Sequence, residues 1–359
     1  MKSKKPFFMI SLIVLAIILT GCAVGPRAEG SPGLSADGEH IYLAARSVVY
    51  QLNLFGEEQW RYPEKPSAAL VMYAAPHAME ESVLVGDLSN KLHALNKADG
   101  SVKWSFSGAK GWFLAPANSD ETLIYAPSLD RNVYALDENG NQVWAYNGNF
   151  GFLAQPIITD KLIIIASQEH EIFALDKQTG AQVWSEKTAG CMVASPLFDE
   201  SSKTLFAGGM GKAVVALDAD TGKTKWTFDN SGQMGAIWST PILVENNLII
   251  TDDLGVIYSI SPDTGMLNWT ILTNEPMMAG PVKLDEGFAV VSIAGNVRAY
   301  NLNQAPRWTL SLANAQVYTT PVVAGGNIII ANKTTKNENL LFAVDQNGVQ
   351  KWAFTPSAK

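Results

Sequence analysis

The chain has 359 residues, 47% of them hydrophobic and only 17% charged, which is ample apolar material for a large core. Its formal charge is −8, and removal of the segment before Cys22 would take away Lys2, Lys4 and Lys5, leaving a mature chain near −11. So acidic a chain is a poor ligand for nucleic acid, which is excluded as an expected partner.

In chain order, Met1 to Lys5 carries three lysines, Pro6 to Leu19 is apolar apart from Ser11, and Leu19-Thr20-Gly21-Cys22 follows. An apolar run of about 14 residues falls short of the ~20 that a membrane-spanning helix needs, so this is a targeting segment rather than a fold element. The tetrapeptide is similar to a bacterial lipobox, in which the cysteine is acylated and becomes the first mature residue. Residues 1–21 are then a signal peptide, 22–30 a tether on a lipidated Cys22, and 31–359 one folded domain. Such a tether reaches at most ~30 Å. Ala23 after the cysteine resembles the pattern sent to the outer membrane, where the protein would face the periplasm. In a cell with one membrane, the anchor would hold it on the outer face.

From residue 31 onward the sequence repeats. Segments related to Ala174-Leu175-Asp176-Lys177-Gln178-Thr179-Gly180-Ala181-Gln182-Val183-Trp184 end at Trp60, Trp104, Trp144, Trp184, Trp226, Trp269, Trp308 and Trp352, with gaps of 39 to 44 residues. A proline stands 27 to 31 residues before each tryptophan, at Pro32, Pro76, Pro116, Pro156, Pro196, Pro241, Pro281 and Pro321. Two markers in one register define eight units. Between Pro156 and Trp184, three short apolar runs separated by polar turns precede Gln182-Val183-Trp184, so each unit reads as a four-stranded antiparallel meander. Seven units place glycine four residues before the tryptophan, where a tight reversal needs positive φ. The seventh has Gln304, and a looser turn is expected there.

A four-stranded sheet with two apolar faces needs neighbours on both sides, and a closed ring supplies them. The expected fold is therefore all-β, an eight-bladed β-propeller of four-stranded antiparallel blades. One indole per blade at a fixed place suits packing between blades, each burying roughly 150 to 250 Å². The first unit aligns only with a two-residue insertion, so its innermost strand is expected to be poorly formed, with the tail Ala353 to Lys359 helping to close the ring beside it.

Chemistry-bearing motifs are few. With Cys22 acylated, Cys191 has no disulfide partner and reads as a small buried residue. His40, His77, His93 and His170 lack metal-ligand spacing, and no metal site, catalytic residue or cofactor is expected. Asp252-Asp253 and Glu169-His170-Glu171 fall in turns between second and third strands and read as solvated charges.

The repeat Ala-Leu-Asp-x-x-Thr-Gly-x-x-x-Trp, nearly intact at Ala174 to Trp184 and Ala216 to Trp226, resembles the tryptophan-docking repeat of pyrroloquinoline-quinone (PQQ)-type propellers, and no Trp-Asp dipeptide of WD repeats occurs. With a lipobox, eight units and no further domain, the chain resembles the BamB family, lipoproteins of the outer-membrane β-barrel assembly machinery. That resemblance implies a non-catalytic scaffold binding an envelope protein or peptide, with the barrel assembly complex as partner. The same repeat occurs in PQQ-dependent dehydrogenases, a competing role. Those enzymes stack the quinone on adjacent cysteines, which this chain lacks. A carbohydrate-binding or sensing propeller is the third reading.

One pattern belongs to this chain itself. The fourth and third positions before each proline are large in seven units, and Tyr73, Trp112, Phe152, Met192, Trp238, Met277 and Tyr318 are the candidates for an apolar partner-binding collar around the channel mouth. The competing expectation is that half of each pair packs between blades and the rest plugs the channel.

Overall fold

The computed structural model describes residues 30–67, 70–334 and 338–357. Cys22, the signal segment and most of the tether lie outside the described residues. Thirty-two strands form eight separate four-stranded sheets, every one in sequential order. The blades span residues 33–62, 77–106, 118–147, 157–187, 197–228, 242–272, 282–311 and 322–354. Among the described residues there is no α-helix, and no helix long and apolar enough to cross a membrane.

Burial follows position within the blade. Blade 4 is representative: its second strand, Leu162–Ala166, is buried throughout, whereas its outer strand, Gln182–Lys187, exposes most of its residues. Second and third strands are covered on both faces by neighbouring blades, which is why they read as continuous apolar runs rather than alternating ones. The core is thus a set of layers between blades. One holds Tyr125, Val133, Trp144 and Phe152 against Ile163, Ile165 and Phe173.

The recurring tryptophan is aimed by a β-bulge. In every blade the register between third and fourth strands shifts by one residue just before the indole, as at Ala174↔Trp184 and Leu175↔Gln182. A bulge re-aims the side chain beyond it. The indole then lies over the turn between third and fourth strands of the next blade. Trp184 Nε1 donates to the Ala219 carbonyl at 3.1 Å, and Trp60 Nε1 to Lys97 at 2.9 Å. Glycine in that turn is needed for space as well as for φ: a Cβ on Gly100 would stand 2.6 Å from the Trp60 ring. Asp176 shapes the same turn by accepting from Thr179 N and Thr179 Oγ1 at 2.8 and 2.7 Å, which accounts for the Asp-x-x-Thr-Gly pattern.

Three sequence expectations need correction. Gln304 does not loosen its turn; it adopts φ 70° and keeps the Gln304 N to Asn301 O bond at 3.0 Å. The first blade's inner strand, Gly33–Ala36, has four residues, whereas the corresponding strands elsewhere have two or three. Cys191 is buried as expected but is disulfide-bonded rather than unpaired. Cys22 is the other cysteine of the chain.

The ring closes without exchanging strands, because blades 1 and 8 each consist of contiguous residues. Leu34, Leu43 and Tyr50 pack with Ile329, Ala343 and Phe354. Thr319 Oγ1 donates to the Pro32 carbonyl at 2.6 Å. The tail does join this seam: buried Arg61, gripped by Glu58 at 2.5 Å, donates to the Ser357 carbonyl and hydroxyl at 3.2 and 3.0 Å.

Candidate functional site: the channel mouth and its rim

Segments leading from each outer strand to the next inner strand cross one face of the ring. There they thread between the turns that join second and third strands. Phe113 N donates to Asp87 O at 3.2 Å while Leu129 N donates to Trp112 O at 2.9 Å, and Ile237 N and Asp253 N make the same pair of bonds with Gly209 O and Ala236 O. Extended backbone sends successive side chains to opposite sides, so each pair of large residues divides. One member enters the layer between blades: Met72, Phe113, Phe152, Met192, Ile237, Met277 and Val317 are all 2% exposed or less. The next residue faces the axis, giving an inner ring of Tyr73, Leu114, Leu153, Val193, Trp238, Met278 and Tyr318.

This division corrects the predicted collar. Phe152, Met192 and Met277 are blade packing and present no surface at the mouth. Tyr73, Trp238 and Tyr318 belong to the inner ring. Trp112 fits neither class. The third unit has one residue fewer before its proline, so Phe113 takes the packing position and Trp112 is left 47% exposed on the rim. Leu153, Val193 and Met278 lay in the counted pairs but were passed over for their fourth-position partners, and Leu114 was missed because the pairs were counted from the proline rather than from the hydrogen-bonded residue.

On one side of the mouth the inner ring is filled. Ala236, Trp238 and Met278 form a buried cluster with Val193, Met210, Ile293 and Tyr318 packed against it, and Lys333 Nζ stands 5.0 Å from the Tyr318 ring centroid. Deeper in, the channel wall is polar. Side chains there tie inner strands of neighbouring blades: Ser35 Oγ donates to Pro76 O at 2.5 Å, Gln155 Nε2 to Ala117 O at 2.9 Å, and Thr240 Oγ1 to Ser195 O at 2.8 Å. The small or polar residues before the prolines thus link blades instead of leaving the axis bare.

Asp252 is not a solvated charge. It is fully buried, accepting from Gly235 N at 2.8 Å, Val256 N at 2.9 Å and Tyr258 Oη at 3.0 Å. Asp87 holds the equivalent turn of blade 2. Burial pushes its carboxyl up, but hydrogen bonds from His93, Ser89 and Lys91 N outweigh that and lower it. His77 Nε2 lies 2.9 Å from Ser119 Oγ, and burial brings its pKa down to about 4. Among the described residues no three His, Cys, Asp or Glu side chains converge so as to hold a metal. Nor do the residues fit a quinone, since adjacent cysteines are lacking and an apolar cluster occupies part of the mouth.

The Glu169-His170-Glu171 triplet does lie at the rim, lining a cleft of about 810 Å³ together with Asn149, Phe150 and Lys187. Large exposed apolar side chains stand on both faces: Phe55, Met266 and Val349 in the third-to-fourth-strand turns of the other, and Trp112 at 47%, Phe150 at 40% and Leu254 at 58% on this one. Gly30 also lies there, its backbone close to the Tyr73 hydroxyl. The opposite face, made of turns between first and second and between third and fourth strands, is crowded with carboxylates; blade 3 alone places Asp120, Glu121, Asp137 and Glu138 there.

The family model described as outer membrane protein assembly factor BamB matches residues 45–190, 147–271 and 253–358. Two proteins named as that factor align locally. The one from Moranella endobia (strain PCIT) is 27% identical over 132 residues, covering 33% of this chain and 34% of its own length. That from Yersinia pestis is 32% identical over 79 residues, covering 21% and 19%. The alignments therefore span about a third and a fifth of these relatives. Among solved structures, BamB from Moraxella catarrhalis superposes with TM-score 0.71 at 20% identity, covering 84% of this chain and 90% of that one. The C-terminal WD40 domain of Sif2 reaches 0.71 at 14% identity, covering 85% and 94%, so the structural likeness is one of fold. The sequence match over nearly all of the ring is the more specific finding, and by it this chain belongs to the BamB family of PQQ-repeat β-propellers.

Proposed function

We propose that the protein is a non-catalytic, lipid-anchored scaffold that docks an envelope protein through its mouth face, in the outer-membrane assembly role for which its relatives are named. The family match from residue 45 to 358 carries this reading. The lipobox at Leu19 to Cys22 supports the anchor, and the partner is a component of the barrel assembly complex. Docking falls to the exposed apolar side chains of the rim, Trp112, Phe150 and Leu254, with the half-buried Tyr318 beside them. Exposed large apolar side chains beside the large inner-ring residues of the mouth favour this face as the interaction surface.

Photo-crosslinkers at Trp112, Phe150, Leu254 and Tyr318, activated in native membranes, test the docking. A barrel-assembly component trapped from this face is the expected result, and capture only from the acidic face would refute the assignment. For the anchor, Cys22→Ser should release the protein from membranes. The mass of the mature N-terminal peptide should show a thioether-linked diacylglyceryl group on Cys22, and an unmodified Cys22 would refute the anchor.

A further inference from the structure

We propose that the rim cleft between blades 3 and 4 binds an uncharged or amino-bearing oligosaccharide. This site shares Phe150 with the protein-docking face, but the proposal does not depend on that role. The cleft, of about 810 Å³, is lined by Asn149 and Phe150 of the segment between the blades and by Glu169, His170, Glu171 and Lys187 of blade 4. That volume lies in the range of open ligand-binding clefts.

The chemistry of the lining points to a sugar. Phe150 is 40% exposed in a short connecting segment and brings an aromatic ring to the solvent-filled space. The apolar C–H face of a pyranose stacks on such a ring. Around it stand groups that pair with hydroxyls: carboxylates with two acceptor oxygens each, an amide that both donates and accepts, and an ammonium. Among the described residues, the side chains of Asn149, Glu169, His170, Glu171 and Lys187 form no hydrogen bond or ion pair within the protein. Glu171 and Lys187 are register partners on adjacent strands and still form no ion pair, leaving both heads directed to the cleft.

Charge and shape narrow the class. Two carboxylates against one lysine disfavour phosphorylated or sulfated glycans and accept a neutral or amino sugar. A bound peptide would call for several apolar pockets at alternate positions, whereas Phe150 is the single large apolar side chain of this lining.

The test is calorimetric titration of the detergent-solubilised full-length protein with chitotriose, cellotriose, a sulfated heparin tetrasaccharide and a neutral apolar hexapeptide. Chitotriose or cellotriose should bind with a Kd near or below about 1 mM. Phe150→Ala should weaken binding at least about tenfold with the thermal midpoint unchanged, Phe150→Trp should preserve it, and Glu169→Gln with Glu171→Gln should weaken it. The proposal is overturned by no heat from either neutral sugar at about 10 mM, by a Phe150→Ala protein that binds as well as the parent, or by tighter binding of the heparin fragment or the peptide. None of these outcomes bears on crosslinking to an assembly component from Trp112, Leu254 or Tyr318.

Discussion

Trp352 of the last strand lies over Gly56 of the first blade and donates from Nε1 to the Leu54 carbonyl at 3.2 Å. A Cβ on Gly56 would stand 2.6 Å from its ring. The same contact joins six of the other seven pairs of neighbouring blades, all but blades 6 and 7, and here it joins residues almost 300 positions apart. The ring is therefore shut by an ordinary blade contact. Trp352→Ala should lower stability by about 3 kcal/mol, in the range for losing a large packed aromatic. Gly56→Ala should also destabilise, through its φ of +83° and the indole above it. Calorimetric midpoints of the two variants against Trp184→Ala check this. A negligible loss for Trp352→Ala would mean that the seam is held elsewhere.

Gln304 offers an experiment of opposite sign. It keeps φ 70° where seven blades have glycine, and at this seam Trp269 stacks on Phe288 with 16° between the ring planes. A left-handed conformation costs a non-glycine residue about 1–2 kcal/mol, and glycine's larger unfolded-state entropy returns part of that. Gln304→Gly is expected to stabilise by about 0.5 kcal/mol. Gly140→Gln, which places a side chain against the Trp104 ring, should destabilise. Urea midpoints of the two variants decide the sign.

The division of the mouth residues is testable in the same way. Phe152→Ala removes a fully buried ring that packs on Phe173 at 5.6 Å and should cost about 3–5 kcal/mol. Trp112→Ala should change stability by no more than about 0.5 kcal/mol while weakening partner capture. Equal losses of stability in both variants would return Trp112 to the packing class.

Asp37 gives the fold an acid-sensitive contact between blades 1 and 2. Burial raises its carboxyl, but Lys97 at 2.8 Å, Tyr42 Oη and the amides of His40 and Glu39 outweigh this and hold it at about 2, below its ordinary 3.8. Asp120, beside Lys177 at 2.9 Å, is lowered likewise between blades 3 and 4. A depressed carboxyl contributes stability above its unfolded value and loses that contribution as it protonates. Stability should therefore fall as pH drops from about 4 towards 2. Asp37→Asn should flatten this part of the profile, as followed by urea midpoints across that window, with partial solvent exposure keeping the effect modest.

Fold and register were legible because two markers per unit, the tryptophan and the proline, repeat in one register, and the tryptophan does so because its ring covers the turn of the next blade. The site was legible only in part. A single missing residue in the third unit shifted Trp112 out of phase with Phe152, and counting from the proline concealed it; the backbone bond from Phe113 N to Asp87 O reveals it. Asp252 looked like any acidic turn residue, since only the fold brings Gly235 N of a distant connecting segment to it beside Leu254 N, Val256 N and Tyr258 Oη of its own hairpin. Phe150 lay outside the repeat markers, and only the packing of neighbouring segments shows its ring exposed beside a cleft.

Because every blade, the closing one included, is built from consecutive residues, the ring suits a chain delivered N-terminus first across a membrane. Each sheet can form once its own forty or so residues have emerged, and pairings within a blade are local, which favours rapid folding. No early strand has to wait unpaired for a distant partner, so few bare edges are offered to other chains in transit. Only the seam between the first and last blades must await release of the C-terminus.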